Sequence, residues 1–226
     1  MAEIAATRPA STVLLLRDGT SEIEIFMMVR HHQIEFNSGA LVFPGGKASA
    51  EDSDPRWRDY VDGDDADAER GFRIAAVREA FEESGMLLAR RRKTRGAGAP
   101  LVAPDAFADA LARRDAIAAG KESFLEAVIA ADLVLALDSL VAYAHWITPL
   151  GMPKRFDTRF YIARTPAEQE ALCDGSETVD AVWIAPEDAL AAAREAVREV
   201  AVAFQVVAPR FAPERGRDLA PLDHDW

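Results

Sequence analysis

Arg78-Glu79-Ala80-Phe81-Glu82-Glu83-Ser84-Gly85-Met86 is the stretch on which the reading of this chain turns. Upstream and within it, Ile74, Val77 and Phe81, with the small Ala75, recur at helical spacing. Gly85 stands where a left-handed glycine ends a helix, so the pattern predicts a helix from about Phe72 to Ser84. On that helix Glu79, Glu82 and Glu83 are three and four residues apart and share one face, with Arg78 one turn from Glu82. Like charges so placed cost roughly 0.2–0.5 kcal/mol per pair, and the arrangement becomes useful only with an offsetting cation. Carboxylate oxygens are hard ligands that suit Mg2+, Mn2+ or Ca2+ better than zinc. Read alone, the triplet fits an exposed acidic helix face equally well.

Toward the N-terminus, Ala40 to Phe43 reads as a strand running into Pro44-Gly45-Gly46, where two glycines free the backbone for a turn or for close approach. Ser11 to Leu16 and Ile23 to Arg30 are β-prone runs around the turn signal Asp18-Gly19, a predicted hairpin. Lys47 to Gly71 is acidic and irregular, with Trp57 and Tyr60 expected to anchor it while it loops away as a peripheral excursion. Toward the C-terminus the reading gives a strand at Met86 to Leu88, a solvated basic turn at Arg90 to Arg95, and two alanine-rich helices within Ala103 to Ala131. Strands follow at Leu140 to Thr148, Arg159 to Ala163 and Val179 to Ile184, and a helix starts at Pro186 and runs to about Val200. Strands, helix, strands, helix is the order of an α+β protein, an α/β/α sandwich around a mixed central sheet. One domain over 1–226 is expected, interrupted at about 48–70 and about 92–135.

A net charge of −12 sets the surface against polyanions, so a nucleic acid polymer is not an expected partner. An anionic metabolite can still bind where divalent cations stand between carboxylates and phosphates. No apolar run approaches the roughly 20 residues that span a bilayer, and the start MAEIAATRPASTVLLLRDG lacks the pattern of a signal peptide. The single cysteine, Cys173, cannot pair within the chain and is assigned no function. A cytoplasmic protein without membrane contact is expected, and a homodimer is allowed by everything in the sequence.

Pro44-Gly45-Gly46 and the segment from Arg78 to Met86 together resemble the Nudix box, G-x5-E-x7-R-E-U-x-E-E-x-G-U with U apolar. The second half matches throughout if Ala80 is taken as the first apolar site. Counting from Gly46, Asp52 stands at the first glutamate position, but residues 53 through 77 then precede Arg78 where the pattern has seven; counting back from Arg78, Arg70 stands there. The simplest account is an insertion, which leaves Asp52, Asp67 and Glu69 as counterparts of the first box glutamate. Phe36 to Gly46, the helical insertion, His145-Trp146-Ile147-Thr148-Pro149 and Arg155 to Phe160 are similar to the Nudix subgroup that contains the peroxisomal coenzyme A diphosphatases. The chain ends in Leu222-Asp223-His224-Asp225-Trp226, not in a peroxisomal Ser-Lys-Leu signal.

The resemblance implies a Nudix fold with a carboxylate-bearing helix and two insertions, and hydrolysis of a diphosphate linkage in a small nucleotide-containing metabolite. Coenzyme A or an acyl derivative is the substrate it points to; ADP-ribose, a dinucleotide or a nucleotide sugar keeps the chemistry, and a nucleotide-sensing module without turnover keeps only the fold. It implies Mg2+ or Mn2+ held by Glu79, Glu82 and Glu83, with Glu79, Glu82 and Arg78 as the catalytic set, one glutamate serving as base and Arg78 orienting its neighbours. Further ligands are expected from a backbone carbonyl at Gly46 and from Glu177, with Asp180 in the same region. Arg30, Lys47, Arg155 and Arg159 are expected to meet substrate phosphates, the last two from one face of an extended strand; with Lys154 they would read a 3′-phosphate. His31 and His32 read as solvated, and His145 as a satisfied core residue.

Overall fold

The computed structural model describes residues 5–20, 22–30, 41–63, 67–166, 168–171 and 178–194. In chain order the strands are β1 (Thr7–Asp18), β2 (Ile23–Arg30), β3 (Leu41–Val42), β4 (Gly45–Lys47), β5 (Val61–Asp62), β6 (Ala89–Arg91), β7 (Leu133–Ala136), β8 (Val141–Ile147), β9 (Arg155–Arg164) and β10 (Thr178–Ile184). The helices are α1 (Asp67–Ser84), α2 (Ala108–Ala112), α3 (Arg114–Ala118) and α4 (Phe124–Ala130), with 3-10 turns at Glu51–Ser53 and Pro55–Asp59. A further helix is described over 186–194; its expected continuation to Val200 lies outside the described residues. The chain divides into two compact units, Met1–Pro186 and Glu187–Trp226. Among the described residues no helix is long and apolar enough to cross a membrane.

β1 and β2 form the expected antiparallel hairpin, with Leu16 opposite Ile25 and the Gly19 N–H donating to the Glu22 carbonyl at 2.8 Å. β9 runs parallel to β1, and the other ladders of the main sheet are antiparallel, giving the mixed order β10-β2-β1-β9-β8 with β3 on β2 and β4 on β1. Alternation along β1 turns Val13 and Leu15, both fully buried, to the face on which Ser11 Oγ donates to the Phe72 carbonyl of α1 at 2.7 Å. That ties the helix to the sheet at the height of the Gly-Gly strand β4.

α1 begins earlier than its periodicity predicts, at Asp67, and ends as predicted: Gly85 sits at φ +72° and its N–H donates to the Phe81 carbonyl at 2.9 Å. Ile74, Ala75, Ala76, Val77, Ala80 and Phe81 are all fully buried. A helix buried around its circumference needs cover on both sides. The sheet supplies one side. On the other, Phe81 meets Phe107 and Phe124 with ring centroids 6.3 and 5.5 Å away, and Trp57 meets Phe124 at 5.8 Å.

That second cover corrects the reading of the insertions. Residues 48–62 do not loop away: β5 pairs in parallel with β7, β6 pairs with β7 on its other side, and the two interruptions close into one layer with its own three-stranded sheet. Glu51 accepts from Ser123 Oγ and from the Phe124 N–H, and Arg56 Nη1 donates to Glu126 at 2.6 Å. Arg90 is not part of a solvated turn but 4% exposed, bonded to Asp62 at 3.1 Å and to both oxygens of Asp138 at 2.5 and 3.1 Å. Met86 to Leu88 is not a strand. The Leu87 N–H and carbonyl pair with the amide of Gln169, at 2.8 and 3.0 Å, which satisfies that backbone where a ladder would have done so. Within Ala103 to Ala131 the expected two helices are three short ones, α2, α3 and α4. β9 reaches further than expected, from Arg155 to Arg164.

Trp57 is 1% exposed and its Nε1 donates to the Glu51 carbonyl at 2.9 Å. Trp57→Ala should therefore destabilise the protein by about 3–5 kcal/mol, the usual cost of emptying a large core site. Urea unfolding measures it, and a loss below about 1 kcal/mol would show that the insertion layer does not share the core of α1.

Candidate active site

The three glutamates project from the C-terminal half of α1 against β4. Gly46 is opposite Ser11 in the β1–β4 ladder and so faces the helix. A Cβ built there would stand 2.6 Å from the Glu79 carboxylate, so this position accepts no side chain without displacing Glu79. Next to it, the Gly45 N–H donates to Glu83 Oε2 at 2.8 Å. The Pro-Gly-Gly turn and the carboxylate helix, far apart in sequence, are in contact as the split-box reading expects.

Arg78 organises the acids from within. Its Nε and Nη2 donate to Asp52 Oδ1 and Oδ2 at 2.9 and 3.0 Å, a bidentate pair in which Asp52 is 1% exposed. Nη1 donates to Glu82 Oε2 at 2.9 Å and lies 3.0 Å from Glu79 Oε1, and Nη2 also donates to the Lys47 carbonyl at 2.9 Å. Of the three acids left open by the sequence, Asp52 is the one bonded to Arg78; the Glu69 carboxylate accepts instead from Tyr161 Oη at 2.7 Å, and the Asp67 side chain lies outside the described residues. Asp52 is itself fixed by the Ser49 N–H at 2.7 Å.

Charge does not balance in this cluster. Asp52, Glu79 and Glu82 are three carboxylates around one guanidinium, and Glu83 stands beside them on the Gly45 N–H. Burial pushes the Glu79 carboxyl up to about 7, against the attraction of Arg78 and with the help of Glu82. Burial likewise raises Glu82 above the usual carboxylate range, again opposed by Arg78. Burial works against the charge of Arg78 too, but its bonds to Asp52 and the fields of Asp52, Glu79 and Glu82 outweigh it, so the group stays protonated. Among the described residues no three His, Cys, Asp or Glu side chains already converge as a cation cage. Glu79 and Glu82 lean on Arg78 while Glu83 holds Gly45. The donor set nonetheless suits a hard divalent ion, since all of it is oxygen, at least half-buried, and the carboxylates on Arg78 outnumber its one charge.

These groups floor a cavity of about 870 Å3. Its walls come from Gly45 to Lys47, from Ala10 and Thr12 of β1, from Phe156 and Thr158 of β9, and from Asp115, Ala118 and Ala119 of the second insertion. Of the expected cations, Lys47 and Arg78 border the cavity. Arg155 and Arg159 do share a face, as the strand predicts, but it is the other face from Phe156 and Thr158. Arg155 donates to the carbonyls of Thr148 and Ala5 at 3.0 and 2.9 Å, and the Arg159 guanidinium lies over the Phe72 ring of α1, 5.1 Å from its centroid. His145 is not a core residue; it is part-exposed and its Nε2 lies 2.6 Å from Asp157 Oδ1. The side chains of Arg30 and Asp180, and Glu177, His31, His32 and Cys173 entirely, lie outside the described residues. The contributions of α3 and of Phe156 were missed. Strand parity in Arg155 to Phe160 was a usable signal for Phe156, whereas nothing near Asp115 marks it.

A family model described as the NUDT19 Nudix domain matches residues 59–204, more than half of the chain, and the chain belongs to that family of Nudix hydrolases. Acyl-coenzyme A diphosphatase NUDT19 of Homo sapiens is 34% identical over 125 residues, covering 52% of this chain and 32% of that protein. The Gallus gallus protein of the same name is 25% identical over 216 residues, covering 76% and 56%. The chain thus aligns with between about a third and somewhat over half the length of these curated relatives. The crystal structure of a Nudix hydrolase from Alicyclobacillus acidocaldarius superposes with a TM-score of 0.63 at 26% identity, over 90% of this chain and 85% of that one. The α+β architecture expected from the sequence is therefore the Nudix fold.

Two outcomes are expected of the cluster. Asp52→Ala removes the bidentate acceptor of Arg78 and leaves Nε unsatisfied in a buried site while Glu82 and Glu79 still offset the charge, and should cost about 1–3 kcal/mol in denaturant unfolding; an unchanged midpoint would remove Asp52 as a counter-ion. For Glu79 the folded pKa lies above the unfolded one. Its contribution to stability is full below about pH 4.5 and is lost as pH rises through about 7, by up to roughly 3 kcal/mol. Gln at 79 has no such loss. In chelator, Glu79→Gln should gain on the wild type between pH 5 and pH 8; parallel stability curves would show that Glu79 ionises normally.

Proposed function

We propose that the protein is a metal-dependent diphosphatase that cleaves the diphosphate linkage of coenzyme A or acyl-coenzyme A. The observation that carries the reading is the surplus of carboxylate at the floor of an open cavity, with Asp52, Glu79 and Glu82 sharing one arginine and Glu83 beside them. Family membership and the names of the relatives supply the linkage and the substrate class. Glu79, Glu82 and Glu83 would hold Mg2+ or Mn2+, and Gly46 lines the same space. A bound divalent ion neutralises diphosphate charge and lowers the pKa of water.

The chain's own part is positional. Arg78, fixed by Asp52 and the Lys47 carbonyl, holds Glu79 and Glu82 at the cavity floor, and Gly46 lets β4 approach them without a side chain between. Lys47 is the exposed cation on the rim and suits a substrate phosphate. Hydrolysis releases a proton, and one of the three glutamates would take it. A nucleotide sensor without turnover has no use for this surplus. ADP-ribose or another nucleotide diphosphate stays as the second reading, because Arg155 and Arg159 face away from the cavity and no longer give a reason for 3′-phosphate selection.

The test is a panel of coenzyme A, acyl-coenzyme A, 3′-dephospho-coenzyme A, ADP-ribose and nucleotide sugars with Mg2+ or Mn2+, products identified by mass. Coenzyme A species should give the highest kcat/KM, and Glu82→Gln should lower kcat by orders of magnitude with the fold intact. Cleavage of ADP-ribose alone would move the function to the second reading, and full activity in Glu82→Gln would remove the carboxylate site from the reaction.

A further inference from the structure

The sheet face that walls the cavity continues beyond it, onto residues the carboxylate site does not use. Phe156 and Thr158 of β9 line the cavity wall, and strand alternation puts Phe160 on the same face. In the β8–β9 ladder Trp146 is opposite Thr158 and Ala144 opposite Phe160, so these too share that face. The Trp146 and Phe160 rings are in contact, centroids 5.6 Å apart and tilted by 56°. Adjacent strands are about 4.8 Å apart, so Trp146 stands one strand beyond the cavity wall. It is 70% exposed, although an indole is among the costliest side chains to leave in water. Ala144, its neighbour on the same face of β8, carries only a methyl group and leaves room beside the indole for a flat ring. The polar residues of this strand pair, His145 and Asp157, bond to each other on the opposite face.

We infer that the ledge formed by Trp146 and Phe160 stacks the nucleobase of the substrate, with the diphosphate over the glutamates and the base over β8. The inference rests on the diphosphatase reading for its ligand class, a nucleoside diphosphate. A planar base suits the ledge better than an aliphatic arm, because the exposed indole of Trp146 is itself a flat aromatic face flanked by a small residue. Among the described residues β8 ends the main sheet, so no further strand crowds it.

The experiment measures the affinity of adenosine 5′-diphosphate by calorimetry, with Mg2+, for the wild type, Trp146→Ala, Trp146→Leu and Trp146→Phe; pyrophosphate is the base-free probe. Loss of a base–aromatic stack should weaken adenosine 5′-diphosphate about fivefold to hundredfold in the Ala and Leu variants. Trp146→Phe should stay near the wild type, and pyrophosphate should bind all four alike. Trp146→Leu keeps apolar bulk on β8, so it reads stacking even where the alanine variant folds poorly. Equal nucleotide affinity in the wild type and Trp146→Leu overturns the inference. So does weaker binding of 4′-phosphopantetheine with adenosine 5′-diphosphate unaffected, which gives the ledge to the acyl-bearing arm. Binding needs no turnover, so a wild type that stacks the base but cleaves no member of the panel sinks the diphosphatase reading and keeps the ledge.

Discussion

One buried guanidinium decides the geometry of this molecule. Arg78 is surrounded by Asp52, Glu79, Glu82 and the Lys47 carbonyl, which belong to the first insertion, the helix and the glycine strand respectively. A charge taken out of water is tolerated only where every donor finds an acceptor. Satisfying this one arginine therefore fixes three chain segments in one place. β4 is drawn against α1, the insertion is folded back onto the site, and the glutamates are aimed at the cavity. The surplus of negative charge that results is local and buried, so it differs in kind from the general acidity of the chain. Surface acids are screened by water and salt, whereas Glu79 and Glu82 carry their mutual repulsion into the folded state.

Much of this is legible in the sequence itself. The helix, its terminating glycine and the shared face of the three glutamates follow from spacing alone, and the Pro-Gly-Gly turn declared itself by composition. The hairpin and the later strands were found because alternation and turn residues are local signals. What escaped depended on partners distant in the chain. Arg90 reads as one charge in a basic run, and only Asp62 and Asp138 make it a core residue. Gln169 satisfies Leu87 from so far downstream that the backbone at Met86 to Leu88 reads as a strand from local sequence alone.

The site shows the same division. Glu79, Glu82, Glu83, Gly46 and Asp52 were all in view, yet Asp52 could not be chosen over Asp67 and Glu69 until its bidentate bond to Arg78 was seen. Arg155 and Arg159 were selected for their chemistry, while strand parity gave the cavity to Phe156 and Thr158 instead. Charge is a property of residue type, but the face it occupies is a property of register. The unbroken apolar run Ile74 to Val77, followed by Ala80 and Phe81, was the clue to the second layer. Such a helix cannot stay bare on its outer side, and the insertions are what covers it.

The parallel pairing of β5 with β7 joins Val61 to Leu135 across the whole of α1 and the second insertion. As the chain leaves the ribosome, α1 is complete long before the strand that closes its cover has been made. Closing so long a loop costs entropy that no contact repays until both ends have arrived. Through that interval Phe81 and the small apolar residues around it form an uncovered surface of the kind that chaperones bind and that aggregates in their absence. The same lobe that walls the cavity in the finished protein thus leaves that apolar face of the nascent chain uncovered until residue 136 has emerged.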